Sequence, residues 1–384
     1  MSLFGKLTAR QFLRGYWQKR PLLIRQALPD FVSPLSPEAL AGLACEEEVE
    51  SRIITNSNNA QCPWQLRNGP FTENDFTALA DKNWTLLVQD CQRYDEQIAA
   101  LLKHFDFIPQ WRLDDIMISY ATPGGGVGPH IDQYDVFLIQ GMGERRWQID
   151  NKAGTENNLY AGCELDILQD FTADEEWLLS PGDMLYLPPQ LAHYGVAVNS
   201  CMTLSIGFRA PSHLEMVTAY LETLSQHQSE QERFTDPHRG LPENTAEIEA
   251  QDIEQFSEYL KEQLSDNSVI AGVFGRLVTE PKHTDWFEPT ERDKADILQR
   301  GIQLDPDARF AFTRDHYYHN RLFANGESLD VCPPAARLVP ILCEQRQLSA
   351  DEYADILDTE EFNQLVDFLI DHALLARDDH NSTR

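Results

Sequence analysis

The sequence predicts an α+β chain in three regions: a β-sandwich or barrel over 1–210, a helical region over 211–287, and a small winged-helix-like unit over 288–384. Three observations predict this. Short strand-like runs alternate with Gly and Pro turns in the first region, namely Ile116–Tyr120, Val136–Gln140, Arg145–Ile149, Met184–Leu187 and Met202–Phe208; few helical patterns lie between them, as in sandwiches and barrels. From Pro211 the apolar period changes to three and four residues, at Leu214, Val217, Leu221 and Leu224 and again at Ile253, Phe256, Leu260 and Leu264, which is the stripe of an amphipathic helix. From Glu288 onward short strands and a helical stripe occur together at the size of a winged helix.

A chain of 384 residues is too long for one ordinary core. Helical pieces around Arg10–Gln18 and Pro37–Leu43 precede the strands. The two stripes of the middle region flank a polar stretch, Thr235–Asn244; they can pack on the barrel or on a second copy, and packing within the chain is the simpler expectation. In the last region Arg309–Thr313 and Arg321–Ala324 read as strands, with Asn325-Gly326 as a tight turn. Ser349 followed by Glu352 is a capping box, and Phe362, Leu365, Val366 and Leu369 form a helical stripe.

Composition excludes several classes. No run approaches the roughly 18 consecutive apolar residues of a membrane span, and the N-terminus lacks the apolar h-region and cleavage site of a signal peptide, so a cytoplasmic protein is expected. The seven cysteines are scattered singly without a CxxC pair, so reduced thiols are expected rather than a disulfide framework or a cysteine zinc site. A net charge of −31 repels nucleic-acid phosphates and attracts basic partners; acidity for solubility accounts for it equally well. From Glu288 onward there are 20 acidic against 10 basic residues, which argues against nucleic-acid binding by the winged-helix-like unit.

The chemistry lies in Gly124–Phe137, GGGVGPHIDQYDVF. His130 and Asp132 are two apart, so on a strand both side chains share a face and converge on a metal. A third ligand, His193, stands 61 residues after Asp132 in SPGDMLYLPPQLAHYGVAV, where Pro181-Gly182-Asp183 reads as a turn, Met184–Leu187 as a strand and Pro188-Pro189 as a bend. Two imidazoles and a carboxylate form the facial triad of non-haem iron(II) oxygenases, which leaves open positions for a bidentate 2-oxo acid and dioxygen; a structural zinc site is closed by four ligands. The other nine histidines, including His316 and His319, are read as ordinary core or surface residues. The glycines at 124–126 and 128 precede a strand with no GK[ST], so they are not a phosphate loop. Arg145 and Arg146 point to opposite faces of their strand, and only one can face inward to pair with a co-substrate carboxylate.

Over nearly its whole length the sequence resembles the JmjC-type 2-oxoglutarate oxygenases, and among them the bacterial ribosomal oxygenases. Tyr16–Arg25 (YWQKRPLLIR), Asp114–Trp147, Pro181–Pro189 (PGDMLYLPP), Ser205–Pro211 (SIGFRAP) and Phe323–Glu327 (FANGE) carry the resemblance. It implies a double-stranded β-helix, the jelly-roll or cupin-like JmjC barrel, followed by a helical dimerisation region and a C-terminal winged helix. It implies iron(II) on His130, Asp132 and His193, with 2-oxoglutarate as co-substrate and dioxygen as oxidant. It places the anchoring role for the distal carboxylate on Arg145, with Ser119 as its hydroxyl partner, and puts Thr203 at the pocket wall where the resembling proteins carry an amide. Arg146 is left as a surface ion pair. The implied partner is a basic ribosomal protein, with an arginine side chain of large-subunit protein L-sixteen as target, and the implied assembly is a homodimer. Asp135, Asp114 and Asp115 are candidates for a substrate guanidinium on spacing alone, against a structural or solvent-facing role. The alternatives are the same chemistry on a peptidyl histidine or asparagine, lysine demethylation, and a non-catalytic cupin-like binding protein.

Overall fold

The computed structural model describes residues 3–57, 62–152, 158–227, 232–283, 287, 293–314 and 319–376. The chain divides into two compact units, Met1–Ala210 and Pro211–Arg384. In chain order the first contains α1 (Ala9–Gly15), β1 (Leu22–Ile24), α2 (Pro37–Leu43), β2 (Ser51–Asn56), β3 (Trp64–Asn68), α3 (Glu73–Thr77), β4 (Trp84–Val88), α4 (Glu96–Leu101), β5 (Leu113–Ala121), β6 (His130–Ile131), β7 (Asp135–Met142), β8 (Arg145–Asp150), β9 (Glu175–Leu179), β10 (Met184–Leu187), β11 (Ala192–Ala197) and β12 (Cys201–Phe208). Eight strands form one antiparallel sheet in the order β1-β10-β7-β12-β5-β4-β2-β3, and four form another, β6-β11-β8-β9. Together they make the cupin-like jelly roll.

The apolar run Val136–Ile139 is continuous because β7 is buried on both faces. Phe137 and Ile139 join Phe12, Leu40, Ile98, Tyr186 and Ile206 on the helix-covered face. Val136 and Leu138 join Trp147, Ile149, Leu179 and Leu185 in the space between the sheets. The same alternation places Ser119, Gln140, Thr203 and Arg145 between the sheets, where all four are buried. One end of the barrel interior is therefore apolar and the other polar.

Two expectations are corrected in this unit. The first helix stops at Gly15 rather than Gln18, because Gln18 turns to a positive φ of 54° and its backbone N–H donates to the Tyr186 hydroxyl at 2.7 Å. Cys62 and Cys163 are joined as a disulfide across 101 residues, whereas reduced thiols were expected for all seven cysteines. One lies just before β3 and the other between β8 and β9; single spacing along the chain cannot register an approach made by two long connections. Cys45, Cys91, Cys201, Cys332 and Cys343 are free thiols.

The second unit contains α5 (His213–His227), α6 (Ala250–Gln263), α7 (Asn267–Thr279), α8 (Lys294–Arg300), β13 (Ile302–Gln303), β14 (Phe310–Arg314), β15 (Asn320–Ala324), β16 (Glu327–Val331), α9 (Leu338–Gln345), β17 (Gln347–Leu348), α10 (Ala350–Tyr353) and α11 (Glu360–Asp371). β14, β15 and β16 form a meander and β13 pairs with β17. The β15–β16 turn holds Asn325 and Gly326 at φ of 46° and 85°, as a tight hairpin turn requires. Phe362, Leu365, Val366 and Leu369 of α11 are buried with Leu322, Leu338 and Leu342. α7 packs on the meander closely enough that a Cβ at Gly275 would lie 2.4 Å from the Phe323 ring. In contrast, the stripes of α5 and α6 face outward: Leu214 is 76% and Ile253 61% exposed. Among the described residues no helix is long and apolar enough to cross a membrane.

Candidate active site

β6 and β11 are neighbours, and their register sets His193 directly across from His130. β6 ends at Ile131, so Asp132 stands just beyond the strand rather than on it, and His193 is the second residue of β11 rather than the end of a bend. The ligand atoms of His130, Asp132 and His193 nevertheless lie within 4.8 Å of one another. Nε2 of His193 is 3.5 Å from Asp132 Oδ2, and Nε2 of His130 is 3.8 Å from Oδ1. Both separations are too long for good hydrogen bonds and short enough for one ion with bonds of about 2.1 Å to bridge.

Each imidazole is oriented by its other nitrogen. Nδ1 of His130 lies 2.9 Å from the Gly128 carbonyl, and Nδ1 of His193 lies 2.9 Å from the Leu191 carbonyl. A carbonyl can only accept, so each Nδ1 carries the proton and each Nε2 offers a lone pair to the common centre. Burial, reinforced by the neighbouring His130, pushes the His193 pKa down from 6.5 to about 4, which keeps that ring neutral and able to ligate. The glycines have a specific use here. Gly128 has a φ of 87°, and a Cβ on it would meet Ile167 at 2.7 Å and Trp64 at 3.1 Å.

Arg145 lies on β8, two strands from β6, and not on the next strand in sequence after the HxD segment, since β7 intervenes. It is buried, with 3% of its surface exposed. Its Nη1 donates to Ser119 Oγ at 3.2 Å and to Thr203 Oγ1 at 3.5 Å, and its Nη2 to the Gly195 carbonyl at 3.3 Å. Trp147 supports it, with the guanidinium 5.0 Å from the ring centroid, and stands 5.9 Å from the His193 ring. Among the described residues no carboxylate pairs with Arg145, and Arg145 Nε and Trp147 Nε1 are buried without a hydrogen-bond partner. A buried guanidinium surrounded only by neutral acceptors suits an anionic ligand. Arg146 faces outward and pairs with Glu176 at 3.2 Å.

The three acidic candidates separate. Asp135 is wholly buried and taken: its carboxylate accepts from the Tyr186 hydroxyl at 2.5 Å, Gln18 Nε2 at 2.9 Å and Arg112 at 3.0 Å. It is structural, tying the N-terminal segment to the start of β7. Asp114 and Asp115 lie with Tyr134 around Gly207, where a Cβ would come within 4.0 Å of all three. Tyr134 is 42% exposed; desolvation of its phenol, with the charges of Asp132, Asp115 and Asp114, pushes the pKa up.

Gln140 escaped the sequence reading. It is wholly buried and accepts from Thr203 Oγ1 at 3.2 Å. Its signal was a lone amide at the end of an apolar run. Of the two histidines set aside together, His319 shows no metal-binding cluster among the described residues, and His316 lies outside them.

The family model "JmjC domain" matches residues 100–216 and "ROXA-like winged helix" matches 262–376. The chain is 34% identical over 369 residues to the ribosomal protein uL16 3-hydroxylase of Escherichia coli, covering 94% of this chain and 95% of that one. It is 32% identical over 349 residues to a probable ribosomal oxygenase of Haemophilus influenzae, covering 84% and 82%. The E. coli ribosomal oxygenase YcfD, solved in complex with cobalt and 2-oxoglutarate, superposes with a TM-score of 0.82 at 32% identity, covering 97% and 98%.

Proposed function

The chain belongs to the JmjC ribosomal oxygenases with a ROXA-like winged helix, and from that premise we propose that it hydroxylates an arginine side chain of large-subunit ribosomal protein uL16, using iron(II), 2-oxoglutarate and dioxygen. The observation that carries this is the pairing of a His-Asp-His ligand set with a buried guanidinium that has no carboxylate partner among the described residues.

His130, Asp132 and His193 would hold the metal, a donor set that suits an iron(II) left open to further ligands. When bound, the metal with 2-oxoglutarate and dioxygen supplies the oxidation of a substrate C–H bond to C–OH, coupled to conversion of 2-oxoglutarate to succinate and carbon dioxide. The protein's own residues orient and enclose. The fixed tautomers of His130 and His193 keep both lone pairs on the metal side. Arg145 and Ser119 grip the distal carboxylate, and Thr203 lines the wall. The apolar layer of Leu138, Ile149 and Leu185 limits water.

Asp114, the buried Asp115 and Tyr134 surround Gly207, where a peptidyl guanidinium would meet negative charge. The net charge of −31 favours approach by a basic ribosomal protein, and the acidic winged-helix unit makes a nucleic-acid partner unfavourable. A ribosomal-protein substrate places the reaction in the cytoplasm. The outward stripes of α5 and α6 are the surface a second copy would cover; Leu221→Glu with Phe256→Glu, read by sedimentation, is expected to give monomers.

The test is to incubate iron-loaded protein with 2-oxoglutarate and a ribosomal-protein fraction and to weigh the proteins by mass spectrometry. One added oxygen on a uL16 arginine, absent with His130→Ala, supports the assignment. An oxygen on a histidine or asparagine keeps the chemistry and discards the arginine. No metal binding and no turnover leave a non-catalytic cupin-like protein.

A further inference from the structure

We propose that Gln140 is a positioning residue for the co-substrate: it accepts the single proton of the Thr203 hydroxyl and so keeps that oxygen's lone pairs turned to Arg145. This rests on Arg145 being the carboxylate anchor.

The chain of hydrogen bonds has one consistent direction. Gln140 Nε2 donates to the Met142 carbonyl at 2.8 Å and lies 3.4 Å from the Gly143 carbonyl. Because both of those groups can only accept, the amide nitrogen must face them, and Oε1 must face Thr203. Oε1 then accepts from Thr203 Oγ1 at 3.2 Å. With its proton spent there, Thr203 Oγ1 presents only lone pairs to Arg145 Nη1 at 3.5 Å. The main chain that carries this side chain is pinned. Its backbone N–H donates to the Asp183 carbonyl at 3.0 Å and its carbonyl accepts from Gly182 N–H at 2.9 Å, and β7 and β12 set Gln140 and Thr203 in register.

Ser119 differs. Its hydroxyl accepts from Arg145 at 3.2 Å but donates to the Thr203 carbonyl only at 3.4 Å. That longer bond is the weaker restraint, so Ser119 is the hydroxyl able to turn and donate to an incoming carboxylate. Gln140 thus divides the labour. Thr203, held by Gln140, gives one edge of the guanidinium a long contact at 3.5 Å, and Ser119 answers the ligand.

Without Gln140, the Thr203 hydroxyl loses its acceptor and turns to find another, carrying its lone pairs off Arg145 Nη1 and loosening the fork that grips the carboxylate. The experiment measures 2-oxoglutarate affinity by calorimetry on manganese(II)-loaded protein, with manganese affinity measured alongside, and separates KM from kcat in turnover. Gln140→Met is expected to weaken 2-oxoglutarate binding by about fivefold to tenfold, the worth of one net hydrogen bond, with manganese affinity and saturated kcat within twofold. Thr203→Val is expected to give a similar loss, and the double variant no more than Thr203→Val alone. If Gln140→Met does not fold, Gln140→Asn, one methylene short of Thr203, is expected to show the same KM effect. Unchanged 2-oxoglutarate affinity in the folded Gln140 variant, or fully additive losses in the double variant, overturns the proposal. Arg145→Met separates the two levels: if it leaves 2-oxoglutarate affinity intact, the anchor assignment fails and this proposal with it; if it abolishes binding while Gln140→Met does nothing, only Gln140's role fails.

Discussion

Arg145→Met is expected to stabilise the first unit while removing its co-substrate. The guanidinium is wholly interior, and burial lowers its pKa, a sign that its charge is costly where it sits. Its compensation is three bonds of 3.2–3.5 Å to neutral oxygens and one aromatic face. Desolvating an ion in a real protein costs several kcal/mol, and neutral acceptors at these distances return about 1 kcal/mol each. Met fills most of the same volume without charge. Ser119 and Thr203 keep their own donors to the Thr203 carbonyl and to Gln140, so the acceptors left behind cost little. A net gain of about 1–2 kcal/mol follows, or a Tm rise of roughly 2–6 °C for a unit of this size. Binding moves the other way. Losing a bidentate, charge-assisted grip is worth about 3 kcal/mol or more, over a hundredfold in Kd. Thermal melts of the metal-free protein and calorimetry with 2-oxoglutarate read the two effects separately. A variant that melts lower and still binds 2-oxoglutarate within threefold of the native protein would refute both halves.

Three further outcomes follow from the geometry. Gly195→Ala puts a methyl group 2.8 Å from Arg145 Nε and from the Trp147 ring; forcing those groups aside costs about 1–3 kcal/mol, and is expected to weaken 2-oxoglutarate binding in calorimetry while manganese still binds. His193 is held near 4 in the fold and titrates near 6.5 unfolded, so the unfolded chain takes up the proton first as pH falls. The metal-free protein therefore keeps this contribution above pH 6.5 and loses up to about 3 kcal/mol between 6.5 and 4, a slope in chemical-denaturation free energy that His193→Gln should flatten. Reducing Cys62–Cys163, or replacing Cys62 by Ser, is expected to cost about 2–4 kcal/mol through the freedom returned to a 101-residue loop; an unchanged melting temperature under thiol reductant would count against it.

The candidate ligand set was legible because its chemistry leaves marks in sequence: a turn that only glycines tolerate, alternate polar residues on an apolar background, and a second histidine behind a PGD turn. The strands of the barrel centre were legible for the same reason that makes β7 continuous in Val, Phe, Leu and Ile, which is burial on both faces. Helices α5 and α6 showed through their stripes. What stayed hidden depends on partners distant in sequence. Gln140 acquires meaning only when β12 lies beside β7. Asp135 looks like an acid near the pocket until Arg112, Tyr186 and Gln18 are seen around it. Periodicity did not mark α7, since both Gly272 and Gly275 bury themselves against the meander. The disulfide joins two residues that no local pattern connects.

β6 is two residues long and lies at the edge of its sheet, paired with β11 alone and flanked by single backbone bonds from Leu168 N–H to the Pro129 carbonyl and from Gln190 N–H to the Asp132 carbonyl. So short an edge has little ladder to resist fraying. An ion bound across His130 and His193 would stitch that edge to its neighbour, adding coordinate bonds to a two-residue pairing. Metal loading then doubles as local folding: the amides of 128–134 should exchange with solvent far more slowly in the loaded protein than in the stripped one, while those of β7 and β12 exchange alike in both. A cell short of iron would accumulate a protein that is loosened at the mouth of its pocket and intact elsewhere, and a protease would find that strand first.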